Sequence, residues 1–273
     1  MMRSLWTAAS GMNSQQLNVD TISNNLSNVN TTGYKKERME FKSLLYQTMQ
    51  RADQDPANTV SRPVNLQIGL GVRPIATARF FDQGSVIATS SNMDFAIEGK
   101  GFFSIQRAEG DIAYTRDGSF KISVNGDGEL ALVTSEGYPV LNSEDEPITF
   151  PAETKIYSIL VDRAGSFTYT NDEGEFEDMG IQLDVVQFSN VQGLEAVGGN
   201  FYKVTSASGE PIKESDGEVN ELSNIIQNYL ERSNVAVADE MVDLIVAQRA
   251  YELNSKVIQS SDEMLQTANG LKR

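Results

Sequence analysis

The chain has 273 residues and neither histidine nor cysteine among them. Without cysteine there is no disulfide framework, no thiolate nucleophile and no zinc-thiolate site. Without histidine the commonest metal ligand and general base is missing as well. Triad hydrolysis and thiol redox chemistry are therefore excluded, leaving only carboxylate, lysine or tyrosine chemistry. Basic residues are also scarce, 22 against 38 acids for a net charge of −16. That balance excludes a nucleic-acid partner, which would require a clustered basic surface to displace the phosphate counterions. No apolar run reaches the length of a bilayer-spanning helix. Met1-Met2-Arg3-Ser4-Leu5-Trp6 turns polar by Asn13-Ser14-Gln15-Gln16, so the start does not read as a secretory signal peptide.

Proline is absent from residues 1–55 and 212–273; all seven prolines lie between Pro56 and Pro211, together with 17 of the 21 glycines. Long helices are thus permitted at both ends and discouraged between them. In the first part, Leu5, Ala8, Met12, Val19, Ile22, Leu26 and Val29 fall at heptad a and d positions, with Gln15 out of pattern. In the last, Val237, Leu244, Tyr251, Ile258 and Leu265 repeat every seven residues, widened by Met241, Ala247 and Ala268. Each stripe needs a partner, and the simplest arrangement pairs the two ends as a coiled-coil stalk. Such a pair cannot bury both its faces, so it should order further against copies of itself.

The middle alternates as strands do, at Asp94–Glu98, Phe102–Ile105, Phe167–Thr170 and Ile181–Val185. Asn125-Gly126-Asp127-Gly128, between Phe120–Val124 and Glu129–Val133, is a hairpin signal because asparagine and glycine tolerate positive φ. The expected fold class is α+β, with N- and C-terminal helices pairing as a stalk beside a β-rich antiparallel central domain. Residues 47–65 are polar and aperiodic, an extended excursion.

Most apparent chemical motifs dissolve on inspection. Gly69-Leu70-Gly71-Val72-Arg73-Pro74 has proline where a dinucleotide fingerprint needs its third glycine, and reads as a turn; so does Gly99-Lys100-Gly101. The run Asp172–Asp178 lacks the ligand alternation of a calcium loop. Residues 141–180 hold ten acids and two bases, a solvated outer face. Asp94, Glu98, Asp111 and Asp117 supply carboxylates of the kind a glycosidase uses, with no pattern that sets their separation. Lys35, Lys36, Arg38 and Lys42, interleaved by Glu37 and Glu40, read as an inter-subunit ion-pairing cluster.

Both ends carry more than a generic heptad. Ser23-Asn24-Asn25-Leu26-Ser27-Asn28-Val29-Asn30-Thr31-Thr32-Gly33-Tyr34-Lys35 resembles the asparagine-rich signature of the bacterial flagellar axial proteins, the rod and hook components. Glu231-Arg232-Ser233-Asn234-Val235, Glu240-Met241-Val242 and Gln248-Arg249-Ala250-Tyr251-Glu252 are similar to the matching signature at their other end. Ile97–Phe103 and Tyr114–Phe120 resemble their shared central domain. Phe41–Thr48 and Gln67–Pro74 flank an insert similar to that of the distal-rod members of the family.

The resemblance implies a structural, non-enzymatic protein of the periplasmic rod, exported unfolded without a cleaved signal. Implied partners are copies of itself, proximal rod and hook subunits, the surrounding P and L rings and the export apparatus, with no small-molecule substrate. It implies a division into 1–45 and 211–273 as the two helical parts of an inner tube, 46–75 as a rod-specific extended segment and 76–210 as the β-rich outer domain. The expected assembly interface comprises Leu5, Met12, Val19, Ile22, Asn24, Asn25, Leu26, Asn28 and Val29 near the start. Near the end it comprises Val237, Met241, Leu244, Gln248, Arg249, Tyr251, Ile258 and Leu265. Tyr46, Gln47, Pro56 and Pro63 belong to the segment expected to stiffen the rod.

Overall fold

A computed structural model describes residues 2–50, 64–107, 110–124, 128–151, 156–170, 176–217 and 221–271. Two compact units result, each assembled from separate stretches of chain: 1–27, 37–79 and 236–273 in the first, 28–36 and 80–235 in the second. Together they make an α+β protein, as the proline-free ends and the alternating middle imply.

The first unit holds both long helices, α1 (Met2–Ser27) and α2 (Val237–Gly270). α1 stops at Ser27, two residues short of the heptad's continuation to Val29. Asn28, Asn30, Thr31 and Thr32 follow, residues whose side chains compete with the helical main chain, and Thr31 N–H donates to the Asn28 carbonyl in a turn. The remainder of the unit is a two-stranded ribbon. β1 (Glu37–Ser43) pairs with β4 (Val72–Arg79), and β2 (Tyr46–Gln50) with β3 (Leu66–Gly69). The bonds Leu44 N–H to Gly71 C=O and Leu70 N–H to Leu45 C=O join the two ladders. Residues 37–50 thus run antiparallel to 66–79 over roughly 45 Å. Gly69–Pro74 is accordingly a kink in one limb of this ribbon, with Gly71 at φ +118°, and not a reversal of the chain.

The second unit is β-rich, with strands β5 (Val86–Ala88), β6 (Phe95–Glu98), β7 (Phe102–Gln106), β8 (Ile112–Thr115), β9 (Lys121–Val124), β10 (Leu130–Val133), β11 (Thr149–Phe150), β12 (Ile159–Val161), β13 (Ser166–Thr170) and β14 (Phe176–Gln182). It continues through β15 (Val185–Gln187), β16 (Glu195–Gly198), β17 (Phe201–Lys203), β18 (Ile212–Lys213), β19 (Asn224–Gln227) and β20 (Tyr229–Glu231). Its main sheet has the order β16-β17-β8-β7-β15-β18, flanked by three-stranded sheets β11-β10-β9 and β12-β13-β14 and by the pairs β19-β6 and β20-β5. Every pairing is antiparallel.

Adjacent residues of the main sheet enter opposite cores. Phe103, Ala113, Val185 and Phe201 join a large cluster with Phe95, Phe120, Phe150 and Phe167, while Phe102, Tyr114, Val186 and Tyr202 join a smaller one with Phe188 and Leu194. A strand covered on both sides has no polar face, which is why Phe102-Phe103 reads as a continuous apolar run. The expected strands at 94–98, 102–105 and 167–170 are present; the one at 181–185 is broken at Leu183-Asp184 between β14 and β15. β9 and β10 pair as a hairpin would, Val124 opposite Leu130, though Asn125–Asp127 lie outside the described residues, as do residues 172–175 of the acidic run.

Candidate functional site

The features that decide the function of this chain lie at its ends. α1 and α2 pack against each other, but the side chains between them are small or polar. Ala8, Ser14, Thr21, Ile22 and Asn25 are the buried residues of α1; Glu240, Ala247 and Ser261 are those of α2. Gly11 faces the Asn254 carboxamide so closely that a Cβ there would stand 2.9 Å from Nδ2. Small residues at the contact let helix axes approach. Two of these hydroxyls bond within their own helix instead of across the seam: Thr21 donates to Leu17 C=O at 2.9 Å and Ser261 to Val257 C=O at 2.8 Å.

At the end of this seam Asn25 acts as a piece of main chain. Its Oδ1 accepts the Glu37 N–H at 3.0 Å, and its Nδ2 donates to the Glu37 carbonyl at 2.7 Å and to Glu240 Oε2 at 3.0 Å. One buried carboxamide therefore ties α1 to the first strand of the ribbon and to the first turn of α2. Asn25→Ala should cost about 2–3 kcal/mol, since three hydrogen bonds are lost and one involves a charge. Asn25→Asp should cost more, by setting a second carboxylate against Glu240. Denaturant unfolding followed by helical circular dichroism measures both, and an alanine variant as stable as the parent would refute this role.

In the second unit the two terminal signatures meet in a buried ion cluster. Lys35 Nζ lies 2.6 Å from Glu231 Oε1 and donates to the Asp82 carbonyl at 2.9 Å; Arg116 lies 3.1 Å from Glu231 Oε2. Gly84 N–H adds a bond to Glu231 Oε1 at 2.8 Å, Arg116 donates to Gly99 C=O, and its guanidinium sits over the Phe102 ring. The three charged side chains are at most 2% exposed. Burial, and then the neighbouring Arg116, pull the Lys35 ammonium below its ordinary pKa, against the opposing pull of Glu231.

Gly33 completes this junction. It sits at φ +66°, its N–H donates to the Glu231 carbonyl, and a Cβ would meet Asp117 N at 2.6 Å. Asn234 adds another main-chain mimic, accepting from Lys36 N–H and donating to the Phe80 and Asp82 carbonyls. Asp117 accepts from Thr32 Oγ1 and from Ser119 N–H.

This arrangement corrects the reading of the basic cluster. Lys35 is buried and paired within its own chain, so it cannot ion-pair with a neighbouring subunit. Arg38 and Lys42 are exposed and Lys36 half-buried. Of the expected interface residues, Ile22 and Asn25 are buried, and Leu5, Met12, Val19, Leu26, Asn28, Val29, Leu244, Ile258 and Leu265 half-buried. Asn24, Val237, Met241, Gln248, Arg249 and Tyr251 are exposed, Arg249 pairing with Glu252 at 2.8 Å. Tyr46 and Gln47 lie on the ribbon with every β2 residue exposed; Pro56 and Pro63 fall outside the described residues.

Reading for large apolar residues overlooked Glu240, Asn254 and Ser261, which occupy the other half of α2's seven-residue repeat. The usable signal was their spacing with Ala247.

Comparison with known proteins bears directly on these ends. Residues 5–35 match the family model described as flagella basal body rod protein, 96–174 the flagellar hook protein FlgE/F/G D1 domain, and 226–271 the flagellar basal body rod FlgEFG protein C-terminal. Over 274 aligned residues the chain is 49% identical to the flagellar basal-body rod protein FlgG of Borreliella burgdorferi, with all of both chains covered. The chain belongs to the flagellar basal-body rod proteins. Membership extends to the rod protein FlgG of Buchnera aphidicola subsp. Schizaphis graminum, 43% identical over 99% of this chain and 100% of its own. That of Bacillus subtilis is 37% identical over the whole of both. As a member, the chain is a structural subunit of the rod in the flagellar basal body. Lys35 closes the first matched segment, Arg116 lies within the second and Glu231 near the start of the last, so the buried cluster joins all three family segments.

Proposed function

We propose that this chain builds the distal part of the flagellar rod, self-assembling into a straight, stiff helical tube that carries torque from motor to hook. The observation that carries the proposal is the pairing of whole-length kinship to rod proteins with elements that are incomplete alone. A two-stranded ribbon is marginal in water without a third strand or a packed face. Here β2 is exposed throughout, and Leu45, Tyr46, Met49, Leu66 and Ile68 stand open to solvent. Contact with neighbouring copies would order the ribbon, and segment 46–75 would thereby stiffen the tube.

On this reading α1 and α2 pair as a coiled-coil stalk, the helical parts in 1–45 and 211–273 form the inner tube, and 76–210 lies outside. The interface residues Leu5, Met12, Val19, Ile22 and Leu26, with Leu244, Ile258 and Leu265, act by holding the stalk. Asn24, Asn25, Asn28 and Val29 shape its base, while Val237, Met241, Gln248, Arg249 and Tyr251 face outward. Head-to-tail contacts that do not close produce a filament, which supports copies of the chain as the main partner. Proximal rod and hook subunits, the P and L rings and the export apparatus complete the partners, with no catalysis or cofactor.

Polymerisation of the purified full chain, imaged by electron microscopy, tests this: straight tubes are expected. Curved tubes would favour a hook-like subunit, and no tube at any concentration would refute self-assembly. Deleting residues 50–62 should leave tubes that bend, and a tube as straight as the parent's would remove the insert's stiffening role.

A further inference from the structure

Within the first unit the ribbon meets α1 at widely separated points. At the base, the Asn25 carboxamide holds the main chain of Glu37, where β1 begins. Further back along the helix, Ser10 meets the junction between the two ladders: its Oγ donates to the Thr7 carbonyl at 2.9 Å and accepts the Val72 N–H at 3.4 Å. Near the helix start, the Arg3 guanidinium donates to Met49 Sδ, on β2, at 3.5 Å. Arg3, Thr7 and Ser10 share one helical face, at i, i+4 and i+7. The lengths agree as well. Asn25 to Ser10 spans roughly 22 Å of helix, and Glu37 to Leu44, whose N–H donates to Gly71 C=O, roughly 23 Å of strand.

The contact at Ser10 is the most demanding. Gly71 lies so close to α1 that a Cβ would stand 2.2 Å from Ser10 Oγ and 3.6 Å from Thr7 Cα, and its φ of +118° is one that side chains rarely adopt. Bare main chain opposite a small residue is what fits there. The same glycine gives its carbonyl to Leu44 N–H, so the residue that touches the helix also joins the two limbs of the ribbon. Arg3 and Met49 are long, exposed side chains whose meeting follows from the ribbon's direction and does not set it.

We propose that Ser10 is a positioning residue for the ribbon: seated on Gly71, it lays the ribbon along the subunit's own α1 before any neighbouring copy is met. β2 and β3, beyond this pin, are then offered to neighbours in a fixed direction. That the ribbon stiffens the rod rests on the reading above; that Ser10 directs it does not.

Hydrogen exchange of the full-length monomer tests the pin through the Leu44, Leu70 and Val72 amides. Ser10→Leu, a good helix former too large for the contact, should speed all three at least tenfold and leave the amides of α2 as in the parent. Ser10→Ala keeps room for Gly71 but accepts nothing, so it should speed Val72 more than the other two. Unchanged exchange in Ser10→Leu would overturn the proposal. A second measurement leaves Ser10 in place. The chain lacks cysteine, so Arg3→Cys with Met49→Cys supplies a single pair, which a short bis-maleimide should bridge within one chain. Failure to bridge would show the ribbon lying elsewhere and would equally overturn the proposal. In electron micrographs the Ser10→Leu tubes should bend; tubes as straight as the parent's, with the ribbon freed, would remove the positioning role. A parent chain that forms no tubes would count against self-assembly instead, and the monomer measurements would still decide the pin.

Discussion

Glu231→Gln should destabilise the β-rich unit by about 3–5 kcal/mol, the largest loss expected from any single isosteric change in the molecule. Glutamine preserves shape and still accepts from Gly84 N–H and Lys35, so the loss isolates charge. What it removes is, among the described residues, the one carboxylate at hydrogen-bonding distance from both Lys35 and Arg116, leaving two cations buried together. An ion in a low-dielectric interior is costly unless paired, and a pair of like charges more so. Lys35→Met makes the informative comparison. It leaves Glu231 with Arg116 in a neutral pair, so it should cost clearly less than the glutamine change despite removing more atoms. Urea unfolding at neutral pH, followed by tyrosine fluorescence, decides the matter. If Glu231→Gln costs under about 1 kcal/mol, the cluster is worth no more than a surface ion pair.

The position of this cluster in the sequence gives it significance beyond stability. Lys35 and Glu231 are separated by 196 residues, and each stands beside a segment leading to a terminal helix. The chain leaves α1 at Ser27, passes through 28–36 in the β-rich unit, enters the ribbon at Glu37, and later returns through 229–235 to α2. Both passages of chain are thereby held at the same carboxylate. Within the β-rich unit, the network therefore ties its first stretch of chain to its last.

The sequence makes the end helices legible because absent proline and a seven-residue repeat are local signals, and helix formation answers to local signals. The β-rich middle is legible for the same reason, through alternation and turn residues. The phase of the helical seam is not. Two overlapping repeats run along α2, and ranking residues by size selects Val237, Tyr251 and Met241, which the structure leaves exposed. The deeply buried positions are Glu240, Ala247 and Ser261, and only the partner helix, with Gly11 and Asn25 set opposite, explains why small and polar side chains lie there. Lys35 shows the limit more plainly. Its sequence neighbours are charged, so it reads as a surface residue, whereas its partner arrives from the far end of the chain.

Asp184→Asn should stabilise the β-rich unit by about 3 kcal/mol at pH 7.5 and hardly at all at pH 4. The carboxyl is 2% exposed; Oδ2 accepts from Ser104 Oγ, and Oδ1 has no hydrogen-bond partner. Burial pushes its pKa up to about 6 from an ordinary 3.8, opposed by the Ser104 hydroxyl and by Lys213, and aided by Asp145 and Asp216. Lys213 is itself drawn to Asp145 at 2.8 Å, and Tyr114, raised to about 12, adds no positive charge. A folded-state pKa above the unfolded one means that the native state holds the proton more tightly between about pH 4 and 6. Stability from this group is therefore greatest in acid, falls as pH rises through 6, and stays reduced above it. Each tenfold change in proton affinity is worth about 1.4 kcal/mol, which sets the size of the gain when an uncharged amide replaces the carboxylate. Denaturant unfolding of parent and variant at both pH values measures the difference. An equal gain at pH 4 and 7.5 would show that packing, not ionisation, is responsible. The expected asymmetry would mean that the β-rich unit of this rod subunit carries at neutral pH a buried charge whose removal leaves it firmer.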